Sequence, residues 1–150
     1  MSRYIWVVLL ALFIPRDMSE TSLPKKRLTL EERIIAAVEL WSEYYGVDKW
    51  LVYAVMKAEN DDLDTDLVYK HGEIGLMQIL PRNVEHPESL FIPEYNIREG
   101  IRLIREALDK GSIGWYNGNP RSRKVKRYIK RVMRFYQWKA VPEGLIRRLL

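Results

Sequence analysis

Residues 48–59, DKWLVYAVMKAE, predict a helix that ends in a carboxylate on its own apolar stripe. The segment opens with an aspartate suited to cap a helix, and Val52, Val55 and Met56 share one face. Glu59 continues that face, so we expect it to point inward and lose hydration. Lost hydration disfavours the ionised form, which makes Glu59 a candidate general acid. For an isolated glutamate, a side chain that swings into solvent is the favoured alternative.

Apolar positions at helical spacing predict further helices on both sides of this one. They are a helix that begins at the capping box Thr29–Glu32, a short helix around residues 75–80, a helix after Pro93 and a long helix over residues 122–138. No stretch shows a sustained period of two, which would indicate a strand. The sequence therefore predicts an all-α fold.

Three short motifs follow Glu59 in order. They are Gly75-Leu76-Met77-Gln78-Ile79, the helix start Asn96-Ile97 with Gly100, and the turn Tyr116-Asn117-Gly118. Each motif alone is weak, but their order and spacing after a Glu-bearing helix resemble the catalytic domain of soluble lytic transglycosylases. The resemblance covers roughly residues 47–136. It implies a single lysozyme-like helical domain with a substrate groove, similar in fold to goose-type lysozyme.

The resemblance also implies a role for five residues. Glu59 would be the catalytic acid and base, Met77 and Gln78 would contact sugar in the groove, and Tyr116 would bond to the Glu59 carboxyl with support from Asn117. Members of the family cleave the β-1,4 bond between N-acetylmuramic acid and N-acetylglucosamine in peptidoglycan. They leave a 1,6-anhydromuramic product, with no cofactor and no metal.

Two departures from the family pattern leave alternatives open. Asn60 stands where the family usually has Ser after the catalytic Glu, and residues 69–73 replace a Ser and a Gly-Ala pair. Within that segment Glu73 is an extra carboxylate, expected in a solvated loop, that could instead position a water. A hydrolytic muramidase on the same fold, and a catalytically silent module that binds cell wall or polyanions, are the alternative hypotheses.

Acidic residues after Glu59 partly match a calcium-binding loop. Asp62, Asp64 and Asp66 fall at positions 1, 3 and 5, and Glu73 falls at position 12. Position 6 needs glycine for a sharp turn and is Leu67 here. We therefore expect an acidic solvated loop and no metal.

Composition narrows the chemistry further. The 150 residues suit one domain with a tail, and 47% hydrophobic with 30% charged residues is typical of a globular protein. The absence of cysteine excludes disulfides, thiolate zinc sites and thiol catalysis. With two histidines, a multi-histidine metal site is disfavoured.

The net charge of +5 is unevenly distributed, with ten Lys/Arg and no Asp/Glu between positions 110 and 139. This basic helix favours an anionic partner, either wall polymers or a membrane surface. Its complete apolar stripe, and the lack of any accompanying nucleic-acid motif, indicate that nucleic acid is not the partner. We expect a monomer whose main partner is peptidoglycan.

The two ends of the chain differ from its middle. Residues 1–16 carry one early positive charge and a ten-residue apolar run, typical of a secretion signal or a short membrane tether. A buried N-terminal helix is the alternative. We expect residues 17–27 to be a linker, residues 28–139 the catalytic domain and residues 140–150 an amphipathic tail. Export to the periplasm or cell envelope follows, with membrane tethering and association with a phage virion left open.

Overall fold

A computed structural model describes residues 27–145 as a helical domain. Its helices are α1 (Leu30–Tyr45), α2 (Lys49–Glu59), α3 (Pro93–Asp109) and α4 (Arg123–Gln137). Short 3₁₀ segments cover Pro81–Asn83, Pro87–Phe91, Ile113–Tyr116 and Glu143–Leu145. Residues 27–145 contain no β-strand, only isolated bridges. The all-α prediction is confirmed.

Side-chain caps place the beginnings of three helices close to where the sequence predicts them. Thr29 Oγ1 accepts from the Glu32 amide at 3.2 Å, and Glu32 Oε2 accepts from the Thr29 amide at 2.8 Å. Asp48 caps α2 through the Trp50 amide, and Ser122 caps α4. Each cap satisfies amide groups that the first turn of a helix leaves without partners.

Helix α2 lies at the centre of the core. Six consecutive residues on it are buried: Leu51, Val52, Tyr53, Ala54, Val55 and Met56. Helix α4 packs against α2, and α1 packs against α3. Because α2 is covered on most sides, the last turn of α2 has a fixed position, and Glu59 is held with it.

The predicted short helix around residues 75–80 is wrong. Ile74 and Ile79 instead form an antiparallel bridge and exchange two backbone hydrogen bonds of 3.0 Å. The tight turn between them places Gly75 at φ +76° and Gln78 at φ +45°. Positive φ is incompatible with a right-handed helix, so the apolar residues here are buried by a turn.

Buried Asn96 holds this turn from α3. Its Oδ1 accepts from the Met77 amide at 2.8 Å, and its Nδ2 donates to the carbonyls of Ile74 at 3.0 Å and Leu90 at 2.9 Å. One turn further along α3, Gly100 leaves room for Met77, since a Cβ there would lie 2.6 Å from Met77 Cγ. The motif at residues 75–79 and the motif that contains Asn96 and Gly100 therefore pack against each other.

The structure also describes the beginning of the predicted tail, residues 140–145. Leu145 is fully buried, and the Glu143 amide donates to Asp61 Oδ1 at 3.0 Å, so this part packs back on the domain. The predicted leader, nearly all of the predicted linker and residues 146–150 lie outside the described residues. Among residues 27–145, no helix has the length and apolar character needed to cross a membrane.

Candidate active site

A cavity of about 320 Å³ opens at the end of α2, and we call it the Glu59 cavity. Its wall combines the end of α2, the loop before α3, a residue of α3, the 3₁₀ turn after α3, and α4. The lining residues are Ala58, Glu59, Tyr69, His71, Glu73, Gln78, Ile79, Leu80, Asn83, Leu103, Tyr116, Asn117, Lys124 and Arg131. Four of the five predicted site residues, all except Met77, therefore line one cavity.

The environment of Glu59 favours its protonated form. Burial raises the pKa of Glu59 from 4.5 to about 7, and the negative charge of Glu73 adds to the rise. Tyr128, Arg131 and Asn117 act in the opposite direction. Glu59 Oε1 is buried and has no hydrogen-bond partner. This carboxyl can therefore hold a proton close to neutral pH, as a general acid requires.

Tyr116 contacts the turn rather than the predicted carboxyl. Its hydroxyl donates to the backbone carbonyl of Met77 at 2.6 Å. A carbonyl in a buried turn needs a donor, which gives this bond a structural reason. Burial, and after it the charge of Glu59, raise the pKa of Tyr116. Tyr116 thus lies close to Glu59 while it fixes the segment that carries Gln78.

Met77 is placed differently from the prediction that it contacts sugar. Its side chain is fully buried and does not line the Glu59 cavity. The space beside Gly100 accommodates it, so Met77 is a core residue. Gln78 does line the cavity, and its Nε2 donates to the Gly75 carbonyl at 2.8 Å.

Tyr128, on the buried face of α4, is a site residue to which the sequence gave no role in the site. Burial, and after it the charge of Glu59, raise the pKa of Tyr128 well above its ordinary value. Neither the Tyr128 hydroxyl nor Glu59 Oε1 completes a hydrogen bond, although both atoms are buried. Burial is the main cause of both pKa shifts, and the two side chains lie close together without a formed hydrogen bond. A hydroxyl on a buried stripe needs a partner, and that need was the available signal.

Asn60 connects the end of α2 to the turn. Its Nδ2 donates to the carbonyls of Asp64 at 2.7 Å and Gly75 at 3.3 Å, and its Oδ1 accepts from the Asp64 amide at 3.1 Å. Asp64 in turn accepts from the Asp66 amide at 2.9 Å.

Across the described part of the chain, no three His, Asp or Glu side chains are grouped to hold a metal ion.

The Glu59 cavity continues into a second depression of about 260 Å³ beside α3. The two share Asn83, Leu103 and Tyr116 as lining residues. Trp115 lies in the second depression with 46% of its surface exposed. An extended polymer could therefore pass from the carboxyl along a polar surface that includes an exposed aromatic ring.

A comparison with protein families agrees with this geometry. The model of the family described as "Transglycosylase SLT domain" matches residues 36–139. The match includes Glu59, all three sequence motifs and Tyr128, and it covers more than two thirds of the chain. The chain therefore belongs to the transglycosylase SLT domain family.

Proposed function

We propose that this protein is a peptidoglycan lytic transglycosylase that uses Glu59 as its general acid and base. The bond cleaved is the β-1,4 bond between N-acetylmuramic acid and N-acetylglucosamine. The observation that supports the proposal most directly is the Glu59 carboxyl, with a pKa of about 7, in the wall of a polar cavity. Membership of the family supplies the expectation of a peptidoglycan substrate.

The reaction needs one carboxyl in two protonation states. Protonated Glu59 gives its proton to the bridging oxygen, the bond from C1 of muramic acid to that oxygen breaks, and positive charge develops on the muramic ring. The Glu59 carboxylate then takes the proton of the 6-hydroxyl, and the hydroxyl oxygen forms a bond to C1. The product is a 1,6-anhydro sugar, no water is consumed, and Glu59 is protonated again. A pKa near the working pH suits both steps.

Glu73 supports a second candidate, a hydrolytic muramidase. Its carboxylate lines the same cavity, and its charge acts on Glu59. The backbone amide of His71 donates to Glu73 Oε2 at 3.1 Å, which restricts the position of the carboxylate. A second carboxylate that activates water is what inverting glycosidases use.

Mass spectrometry of digested sacculi distinguishes these functions. Anhydro-muropeptides that disappear with Glu59→Gln and persist with Glu73→Gln would support the transglycosylase. Reducing ends that require both carboxylates would support the muramidase. A parent protein that binds sacculi and releases no fragment would refute both and favour a silent binding module.

We also propose that the protein acts outside the cytoplasm, in the periplasm or cell envelope, where peptidoglycan lies. The apolar segment near the N-terminus, which precedes the described residues, is the supporting feature. Fractionation of bacteria that express the full chain tests this location. A chain found only in the cytoplasmic fraction would contradict it.

A further inference from the structure

Helix α4 presents three cations on one face. Lys124, Arg127 and Arg131 fall at i, i+3 and i+7, all three are exposed, and none belongs to any ion pair within residues 27–145. The arginines of α3 are different, because all three of them pair with carboxylates. Lys126 and Lys130, elsewhere on α4, also belong to none of these ion pairs, so what distinguishes Lys124, Arg127 and Arg131 is that they line one depression together.

These three cations line a depression of about 320 Å³, which we call the basic depression. Its other lining residues are Asn117 and Tyr128, and no carboxylate lines it. Asn117, Lys124 and Arg131 also line the Glu59 cavity, so the basic depression opens directly beside the candidate catalytic carboxyl. A ligand in the cavity can extend an anionic branch into it.

We propose that the basic depression binds a carboxylate carried by the muramic acid whose bond is cleaved. This inference rests on the proposed function. Muramic acid is the sugar that reacts at C1, and its lactyl branch leaves the ring close to the reacting bond. On a peptide-free strand the branch ends in a carboxylate, and on an intact strand it carries a stem peptide with carboxylates. Guanidinium groups bind carboxylates through paired hydrogen bonds, and lysine adds a point charge.

The chemistry of the face favours such a branch over the glycan backbone. The N-acetylated sugar rings of the backbone are uncharged, so they gain little from three positive charges. A carboxylate on the branch gains charge-assisted hydrogen bonds in a site only partly open to water. The depression therefore selects strands by what muramic acid carries, while Glu59 acts on the bond.

A pair of double variants tests the proposal. The first, Lys124→Gln with Arg127→Gln, removes two charges from the basic depression and leaves Arg131, which acts on the pKa of Glu59, in place. The matched control, Lys126→Gln with Lys130→Gln, removes two exposed charges elsewhere on the same helix. Equal net charge in the two variants separates a local site from the general field of the protein.

The substrates are strands with stem peptides, strands stripped by an amidase so that lactyl carboxylates are free, and both again after amidation of their carboxylates. We expect the first variant to raise KM about fivefold to tenfold on carboxylate-bearing strands. On amidated strands this rise in KM should disappear, and the control variant should match the parent throughout. A rise in KM on the stripped strands identifies the lactyl carboxylate as the ligand. A rise only on strands with stem peptides identifies the carboxylates of the peptide.

Three results would overturn the inference: an unchanged KM, an equal loss in the control variant, or a loss that persists on amidated strands. Co-sedimentation with the same strands gives the same comparison without turnover. If the parent releases no product yet the first variant alone binds carboxylate-bearing strands less well, the proposed function fails and the carboxylate site stands. If product forms normally and the variants do not differ, only the inference fails.

Discussion

Replacing Glu59 by Gln should make the protein inactive and, at alkaline pH, more stable. Burial raises the pKa of Glu59 from 4.5 to about 7, so the folded protein holds this proton more tightly than the unfolded chain does. The free energy of unfolding therefore falls as pH rises through that window, because the folded state must ionise a buried group. The full penalty above pH 7 is about 3 kcal/mol, and it vanishes below the unfolded pKa. Gln cannot ionise and does not carry this penalty.

Urea unfolding at about pH 4 and about pH 8 measures the difference between parent and variant. We expect the variant to gain up to about 3 kcal/mol relative to the parent between these conditions. Glu85→Gln, which removes an exposed carboxylate, serves as the control for the loss of a surface charge. Parallel curves for the parent and Glu59→Gln would refute the buried, proton-holding carboxyl. Retained muralytic activity would refute the role of Glu59 in the chemistry.

Three further substitutions test the surroundings of the site. Gly75→Ala should lower the free energy of unfolding by about 2–3 kcal/mol, because φ is +76° and the new Cβ would lie 2.5 Å from Asn96 Nδ2. The control Gly72→Ala, at φ +84° with open space around it, should lower it by about 1 kcal/mol. Equal losses in the two variants would contradict the packing argument. Tyr116→Phe should lower the free energy of unfolding, measured by thermal unfolding, by about 1–2 kcal/mol and reduce turnover, since the Met77 carbonyl loses its donor at 2.6 Å. Unchanged stability would show that this hydrogen bond contributes nothing. Arg131→Gln should move the alkaline limb of the kcat/KM pH profile to higher pH, because the Arg131 charge lowers the pKa of Glu59. The control Lys130→Gln should leave this limb in place. A limb that stays in place or moves to lower pH in Arg131→Gln would rule out the influence of Arg131 on Glu59.

The four long helices were predictable because their signals are local. A capping box at Thr29, an aspartate before α2 and an apolar stripe on α4 each depend on residues within a few positions. The turn at residues 75–80 was not predictable in this way. Its conformation depends on hydrogen bonds from Asn96, which lies on another helix, and on a positive φ at Gln78, a residue that rarely adopts one. Tertiary contacts override the helical periodicity there.

In the candidate site too, local sequence signals located residues, whereas contacts between elements could not be predicted. Glu59 could be located because its burial follows from the stripe of its own helix, and Gln78, Tyr116 and Asn117 could be located from motifs that the resemblance supplied. The contacts between elements could not be predicted. Whether the Tyr116 hydroxyl bonds to Glu59 or to the Met77 carbonyl depends on distances across the fold. In the structure it bonds to the Met77 carbonyl.

Helix α4 shows why a strongly basic helix need not be a separate binding surface. Its buried face packs on α2, its Tyr128 side chain lies near Glu59, and two of its cations, Lys124 and Arg131, line the Glu59 cavity. Burial pushes the pKa of Glu59 upward, and Tyr128 and Arg131 bring it back to about 7. A glycosidase with two carboxylates can hold an acid and a nucleophile at separate pKa values. In the proposed mechanism one carboxyl acts first as acid and then as base, so burial and positive charge must balance at a single group, and Arg131 of α4 supplies the positive charge.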